Sequence, residues 1–149
     1  MALEEKVMEE LKNAMRAKDE AALRTLRAIK AAIIIEKTAE GATGTIDEAT
    51  ELKMLQKLAK QRRDSLDIFI KQNREDLAAK EREELSIIEK FLPQQMTQDE
   101  LHAALKAIIE QVGAKSPADM GKVMGVASKQ LAGKTDGKAI SEAVKQLLA

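Results

Sequence analysis

Glu89-Lys90-Phe91-Leu92-Pro93-Gln94-Gln95-Met96-Thr97-Gln98-Asp99-Glu100-Leu101 is the stretch on which the fold turns. Pro93 has no amide donor and disfavours helical backbone at Leu92, so a helix arriving through Ile88 must stop there. Thr97 and Glu100 then have the spacing of a capping box, with Leu101 the first apolar residue behind it. One helix ends and another begins within a few residues. This predicts a boundary between a larger N-terminal helical part, residues 1–92, and a smaller C-terminal one, residues 97–149.

Upstream, apolar residues recur at helical period. Leu3, Val7, Leu11 and Met15 form one stripe. Lys18-Asp19 interrupts it, and Asp19 is placed to cap the next helix, which carries Leu23, Leu26, Ile29, Ile33 and Ile34. Ile33-Ile34-Ile35 is β-branched, but the period leading into it is 3.6 and predicts the end of a helix. Thr38 to Thr45 reads as a loop. Thr45 and Glu48 match a further capping box before a long helix. Its inward residues are expected to be Leu52, Leu55, Leu58 or Ala59, Leu66, Phe69 and Ile70. Asn73 punctuates it, and Leu77, Leu85 and Ile88 follow.

Downstream, Leu101, Leu105, Ile108 and Ile109 lead to Gly113, placed as a glycine just past a helix end. Ser116-Pro117 reads as an N-cap with proline at the first helical position, and Asp119 follows at the third. The helix from Pro117 to Leu131 has Met120, Val123, Met124, Ala127 and Leu131 on its apolar face. Thr135 or Asp136 is expected to cap the last helix, which has Ile140, Ala143, Val144, Leu147 and Leu148 on one side. The fold class is all-α: an N-terminal helical hairpin or bundle and a C-terminal three-helix bundle. No heptad register is sustained and no repeat recurs.

Composition narrows function. The chain has 149 residues, of which 25 are basic and 25 acidic, so an electrostatic partner needs a local patch. It has no cysteine, which excludes disulfides, thiolate metal sites and thiol nucleophiles. No apolar run is long enough to cross a bilayer. The start, Met1-Ala2-Leu3-Glu4-Glu5, is acidic and unlike a signal or transit peptide, so a cytoplasmic protein with no membrane partner is expected. Phe69 and Phe91 are the only aromatics, too few for base stacking along a single strand. Contact with RNA would have to run through phosphate and sugar.

The C-terminal segment is the most constrained. Gly113, Gly121, Gly125, Gly133 and Gly137 fall in it, among Lys115, Lys122, Lys129, Lys134 and Lys138. From Gly113 onward six lysines stand against three acids. Gly121 and Gly125 lie one turn apart beside the apolar stripe, and each costs about 1 kcal/mol against alanine inside a helix. Two of them imply close approach of another backbone. The plainer origin is tight helix–helix packing; the functional one is an RNA backbone. Lys122 and Lys129, seven apart, share a face, and Lys134 and Lys138 flank the next turn, so the four would track phosphates as point charges. The plainer reading of these lysines is a solvated surface.

Other motifs lead nowhere. Gly133-Lys134-Thr135 echoes the end of a phosphate loop, but Ser128 stands where its first glycine belongs and no strand precedes it. His102, the only histidine, reads as a surface helix residue with no second ligand for a metal. Lys53, Lys57, Lys60, Arg62 and Arg63 read as salt-bridging surface beside Asp64 and Asp67. No catalytic constellation, metal site or cofactor is expected.

Gln61-Arg62-Arg63-Asp64-Ser65, Arg74-Glu75-Asp76-Leu77-Ala78, Glu89 through Met96, Asp119-Met120-Gly121-Lys122-Val123-Met124 and Asp136-Gly137-Lys138 together resemble the YqeY proteins over essentially the whole chain. These are free-standing relatives of the tail of GatB, a subunit of the glutamine-dependent aminoacyl-tRNA amidotransferase. The resemblance implies two unequal helical parts and a tRNA-contacting tail. It also implies the label of carbon–nitrogen ligation with glutamine as amide donor, a label that belongs to the full complex. Thr135 stands in a turn where a small or basic residue would be expected. The resemblance and the lysine–glycine segment favour a non-catalytic tRNA-binding or amidotransferase-related accessory module, with tRNA or another structured RNA as partner. A protein-interaction adapter, using amphipathic faces and methionines, is the alternative, and an amidotransferase-linked enzyme is the third reading.

Overall fold

The computed structural model describes residues 2–39 and 41–149. Among them are seven α-helices and no strand: α1 (Leu3–Ala17), α2 (Glu20–Thr38), α3 (Glu48–Lys71), α4 (Glu75–Glu89), α5 (Gln98–Val112), α6 (Met120–Gln130) and α7 (Gly137–Leu148). A short 3-10 turn, Pro117–Asp119, leads into α6. The chain divides into two compact units, Met1–Leu92 and Pro93–Ala149.

In the first unit α1 packs on α2, α2 on α4, and α3 on α4. Leu3, Val7, Leu11, Leu26, Ile29, Ile33, Met54, Leu55, Ala59 and Ile88 are buried together. The expected stripe drifts at its end. Steps of four residues overshoot a 3.6-residue turn, and after three steps Met15 has rotated by about 120° from Leu3. Met15 is accordingly 59% exposed, and Ala14 takes the inward position. Ile34 and Ile70, both expected to face inward, are likewise exposed, and Met54 is buried on α3 instead. The β-branched run Ile33-Ile34-Ile35 is helical.

Caps follow side-chain oxygens. Asp19 accepts from Ala22 N–H at 3.1 Å at the start of α2. At α3 the cap is Asp47, which accepts from Thr50 N–H at 2.8 Å; its carboxyl is held below its ordinary value first by the Thr50 side chain and then by that N–H. The expected Thr45–Glu48 box does not form, because Asp47 stands closer to the first helical N–H groups. Asn73, at φ 56°, turns the chain between α3 and α4. Next to it Arg74 donates to both oxygens of Asp76, at 3.1 and 2.9 Å.

Three helices are joined by charge. Glu84 on α4 accepts from Arg24 Nε on α2 at 3.0 Å and lies 3.6 Å from Arg62 Nε on α3. The Glu84 and Arg62 side chains are only 14% and 17% exposed. Arg63 reaches Glu89 at 3.5 Å, and Lys60 reaches Asp64 at 2.7 Å. The α3 cations Lys60, Arg62 and Arg63 are thus engaged within the unit.

In the second unit α5, α6 and α7 pack on one another. Leu101, Leu105, Ile108, Val123, Ala127, Leu131, Ile140, Ala143, Val144 and Leu148 form the core. The Thr97–Glu100 capping box is complete, and Gly113 closes α5 at φ 70°. Asp136 caps α7 through Ala139 N–H at 2.7 Å. Ser116 makes no side-chain cap; instead Asp119 Oδ2 accepts the Lys115 N–H at 3.0 Å. His102 is half-buried on α5, its Nε2 shielded and, among the described residues, without a hydrogen-bond partner.

Three outcomes follow. Glu84→Ala removes the carboxylate shared by Arg24 and Arg62; Arg24 keeps Glu83, but the mostly buried Arg62 guanidinium loses its ion pair, and the change is expected to cost about 2 kcal/mol in urea unfolding. Glu83→Ala, at an exposed pair, is expected to cost less than about 0.5 kcal/mol. Asp47→Ala is expected to cost about 1 kcal/mol, and Thr45→Ala roughly a third of that or less. The Arg74 guanidinium holds the Asp76 carboxyl down at about 2 from its ordinary 3.8. A carboxyl depressed in the fold stabilises it above the unfolded value and loses that contribution as pH falls through the folded one, here between about pH 4 and pH 2. NMR titration of Asp76 is expected to give that low midpoint, and Arg74→Ala to return it toward 3.8.

Candidate nucleic-acid interface

The rotation of α6 is set by its apolar side. Val123, Ala127 and Leu131 are buried, and Met120 and Met124 pack against the same core. With that side turned inward, Gly121, Lys122, Gly125 and Lys129 are all exposed. They line one shallow groove together with Val126 and Gln130.

The glycines are bare. A Cβ built at Gly121 or Gly125 meets no atom within 4 Å beyond the helix's own backbone and chain neighbours. The expected alternative, tight helix–helix packing, is therefore not what these glycines serve within the chain. Neither has a positive φ, so no turn demands them. Their cost in helix stability, about 1 kcal/mol each, has no return in internal packing.

The charge on this edge is unspent. Among the described residues none of Lys122, Lys129, Lys134 and Lys138 has a carboxylate within 4 Å. Lys122 and Lys129 stand two turns apart, about 10 Å along the axis. Asp119 lies near the start of the groove. Its carboxyl is lowered first by the Lys115 N–H that it accepts and further by the Lys122 ammonium.

Lys134 and Lys138 lie outside the groove, on the turn after α6 and on the first turn of α7. Both are exposed. The turn is braced: Gly133 takes φ 78°, its carbonyl accepts from Gln95 Nε2 at 2.8 Å, and the Lys134 carbonyl accepts Met96 N–H at 2.9 Å. Lys138 adds positive charge at the positive end of a helix, an arrangement that costs a few tenths of a kcal/mol and raises the local potential. The structure thus brings four of the six candidate residues into one groove and leaves two beside it. Sequence reasoning missed Val126 and Gln130, although the four-residue step from Lys122 to Val126 to Gln130 was available to find them.

The groove offers two ammonium groups beside bare helix backbone, with no aromatic ring and no nucleophile–base pair. It can hold anions spaced along a backbone. Among the described residues no group of three or more His, Asp or Glu is placed to hold a metal ion, and no helix is long and apolar enough to cross a membrane.

Comparison with known proteins is consistent across the chain. A protein of Pyrenophora tritici-repentis is 30% identical over 93% of this chain and 77% of its own length. One of Kluyveromyces lactis is 31% identical over 92% of this chain and 71% of its own length. One of Vanderwaltozyma polyspora is 40% identical over 56% of this chain, a match that spans 44% of that protein. All three are named "Altered inheritance of mitochondria protein 41, mitochondrial". Those names overturn the cytoplasmic location expected from the acidic N-terminus. The family model described as "Yqey-like protein" matches residues 4–148, and the chain belongs to that family.

Proposed function

We propose that the C-terminal unit binds structured RNA, of which tRNA is the representative class, and does so without chemistry of its own. One observation carries this reading. Two helix-weakening glycines leave bare backbone exposed in the same groove as two lysines that have no carboxylate within 4 Å among the described residues. Close approach of a sugar–phosphate backbone would use both features at once, since glycine admits the approach and ammonium neutralises the phosphates. The near absence of aromatics favours folded over single-stranded RNA. The resemblance to the GatB tail points the same way, and the carbon–nitrogen ligase label stays with the complex that supplies the reacting groups. The adapter reading draws support from a separate set of side chains: Met8, Met15, Ile34, Ile35, Ile68 and Ile70 are all exposed.

Lys122→Glu with Lys129→Glu is expected to weaken tRNA binding about tenfold or more in a filter assay and to lower the salt slope by about 2. Lys12→Glu with Lys18→Glu, on the other unit, should leave both nearly unchanged; equal effects of the two pairs would end the site assignment. Gly125→Leu separates function from stability. The substitution meets open space and is expected to raise stability by roughly 0.8 kcal/mol in thermal or urea unfolding while RNA affinity falls.

A further inference from the structure

A second open groove lies on α1, lined by Glu4, Glu5, Met8, Glu9 and Lys12. Its balance is opposite to that of the α6 edge: three glutamates against one lysine, Lys12. Glu4 is taken by Lys37 of α2 at 2.9 Å. Glu5 and Glu9 are exposed, stand one turn apart, and among the described residues have no cation within 4 Å. Like charges at this spacing repel by a few tenths of a kcal/mol, so the helix gains when an external cation settles between them. Between them in sequence is Met8, 39% exposed while its neighbour Val7 is buried in the core. Met8 is one turn after Glu4, and Ile34 is one turn before Lys37. The Glu4–Lys37 pair therefore sets Met8 and Ile34 on one side of the α1–α2 hairpin, and both are exposed.

We propose that this face of one copy docks on the α6 edge of a second copy. Glu5 and Glu9 would meet Lys122 and Lys129, and Met8 would lie over the bare backbone at Gly121 and Gly125. A thioether side chain is flexible enough to fill an irregular strip that no rigid side chain matches. The four-carbon lysine stems absorb the difference between a one-turn and a two-turn spacing. Zero net charge removes the global repulsion that would oppose association between copies. The contact pairs two different surfaces, so copies add head to tail, either without limit or until a ring closes. Its strength falls as salt rises, because the charges are at the surface. If the RNA reading also holds, RNA and a second copy compete for the same lysines.

Sedimentation velocity of the full chain at low salt tests this. The average mass is expected to rise with concentration and to fall again in high salt. Glu5→Lys with Glu9→Lys is expected to weaken self-association about tenfold or more, and Lys122→Glu with Lys129→Glu to do the same. Mixing the two reversed proteins should restore association, since each then offers the charge that the other lacks. A wild-type chain that stays monomeric, association indifferent to either reversal, or a mixture that stays apart would overturn the proposal. A filter assay with tRNA on the Glu5/Glu9 variant keeps the two readings separate. Charge-dependent self-association without RNA binding upholds this contact and ends the RNA reading; RNA binding by a chain that never self-associates does the opposite.

Discussion

Only two aromatic rings are available, Phe69 and Phe91, and neither is fully buried. The interior must therefore be built from aliphatic side chains, with alanine where helices come closest. Ala59, Ala78 and Ala127 have no exposed surface at all, and Ile29, Leu105 and Val144 are equally buried. Such stripes are narrow. Each helix commits a few residues to the core and leaves the rest of its circumference to solvent. That geometry explains why so large a share of the chain is charged and why apolar residues at the stripe edge, such as Met15 and Ile34, end up outside.

Local chemistry was the legible part of this fold. Thr97 with Glu100, Asp19, Gly113 and Asp136 each act within four residues of themselves, and each is found in the role its spacing implied. The all-helical class followed from the same periodicity. At α3 the spacing pointed to the wrong residue: Thr45 with Glu48 matched a capping box, but Asp47, two positions on, is the cap. Long-range pairs were beyond reach. Arg62 and Glu84 are separated by a whole turn of the chain, and no periodicity links an arginine on α3 with a glutamate on α4. For the candidate groove, helical spacing indicated that Gly121, Lys122, Gly125 and Lys129 lie near one another. It could not say whether another helix covers the glycines, because that depends on how α5 and α7 pack.

The α6 edge sets local stability against accessibility. Filling either glycine would strengthen the helix, and nothing inside the chain forbids it. Charge follows the same logic: Arg62 and Arg63 of α3 are drawn into pairs with α4, whereas the lysines around α6 face solvent. A polyanion and an acidic helix face would see the same surface. What distinguishes them is reach, since a nucleic acid can continue past the groove toward Lys134 and Lys138, beyond the end of α6.

The brace between Gln95-Met96 and Gly133-Lys134 has a consequence for how this chain can change. Two carbonyls of the α6–α7 turn are spoken for by a segment 38 residues away in sequence. A residue inserted into that turn would pull both acceptors out of register, so its length is rigidly specified. Among the described residues of the α2–α3 connection, the hydrogen bonds are local (Ala42 N–H to the Ala39 carbonyl, Thr43 with Thr45), and Gly41 and Gly44 have open space around them. Lengthening or trimming should be tolerated in the first connection and rejected in the second.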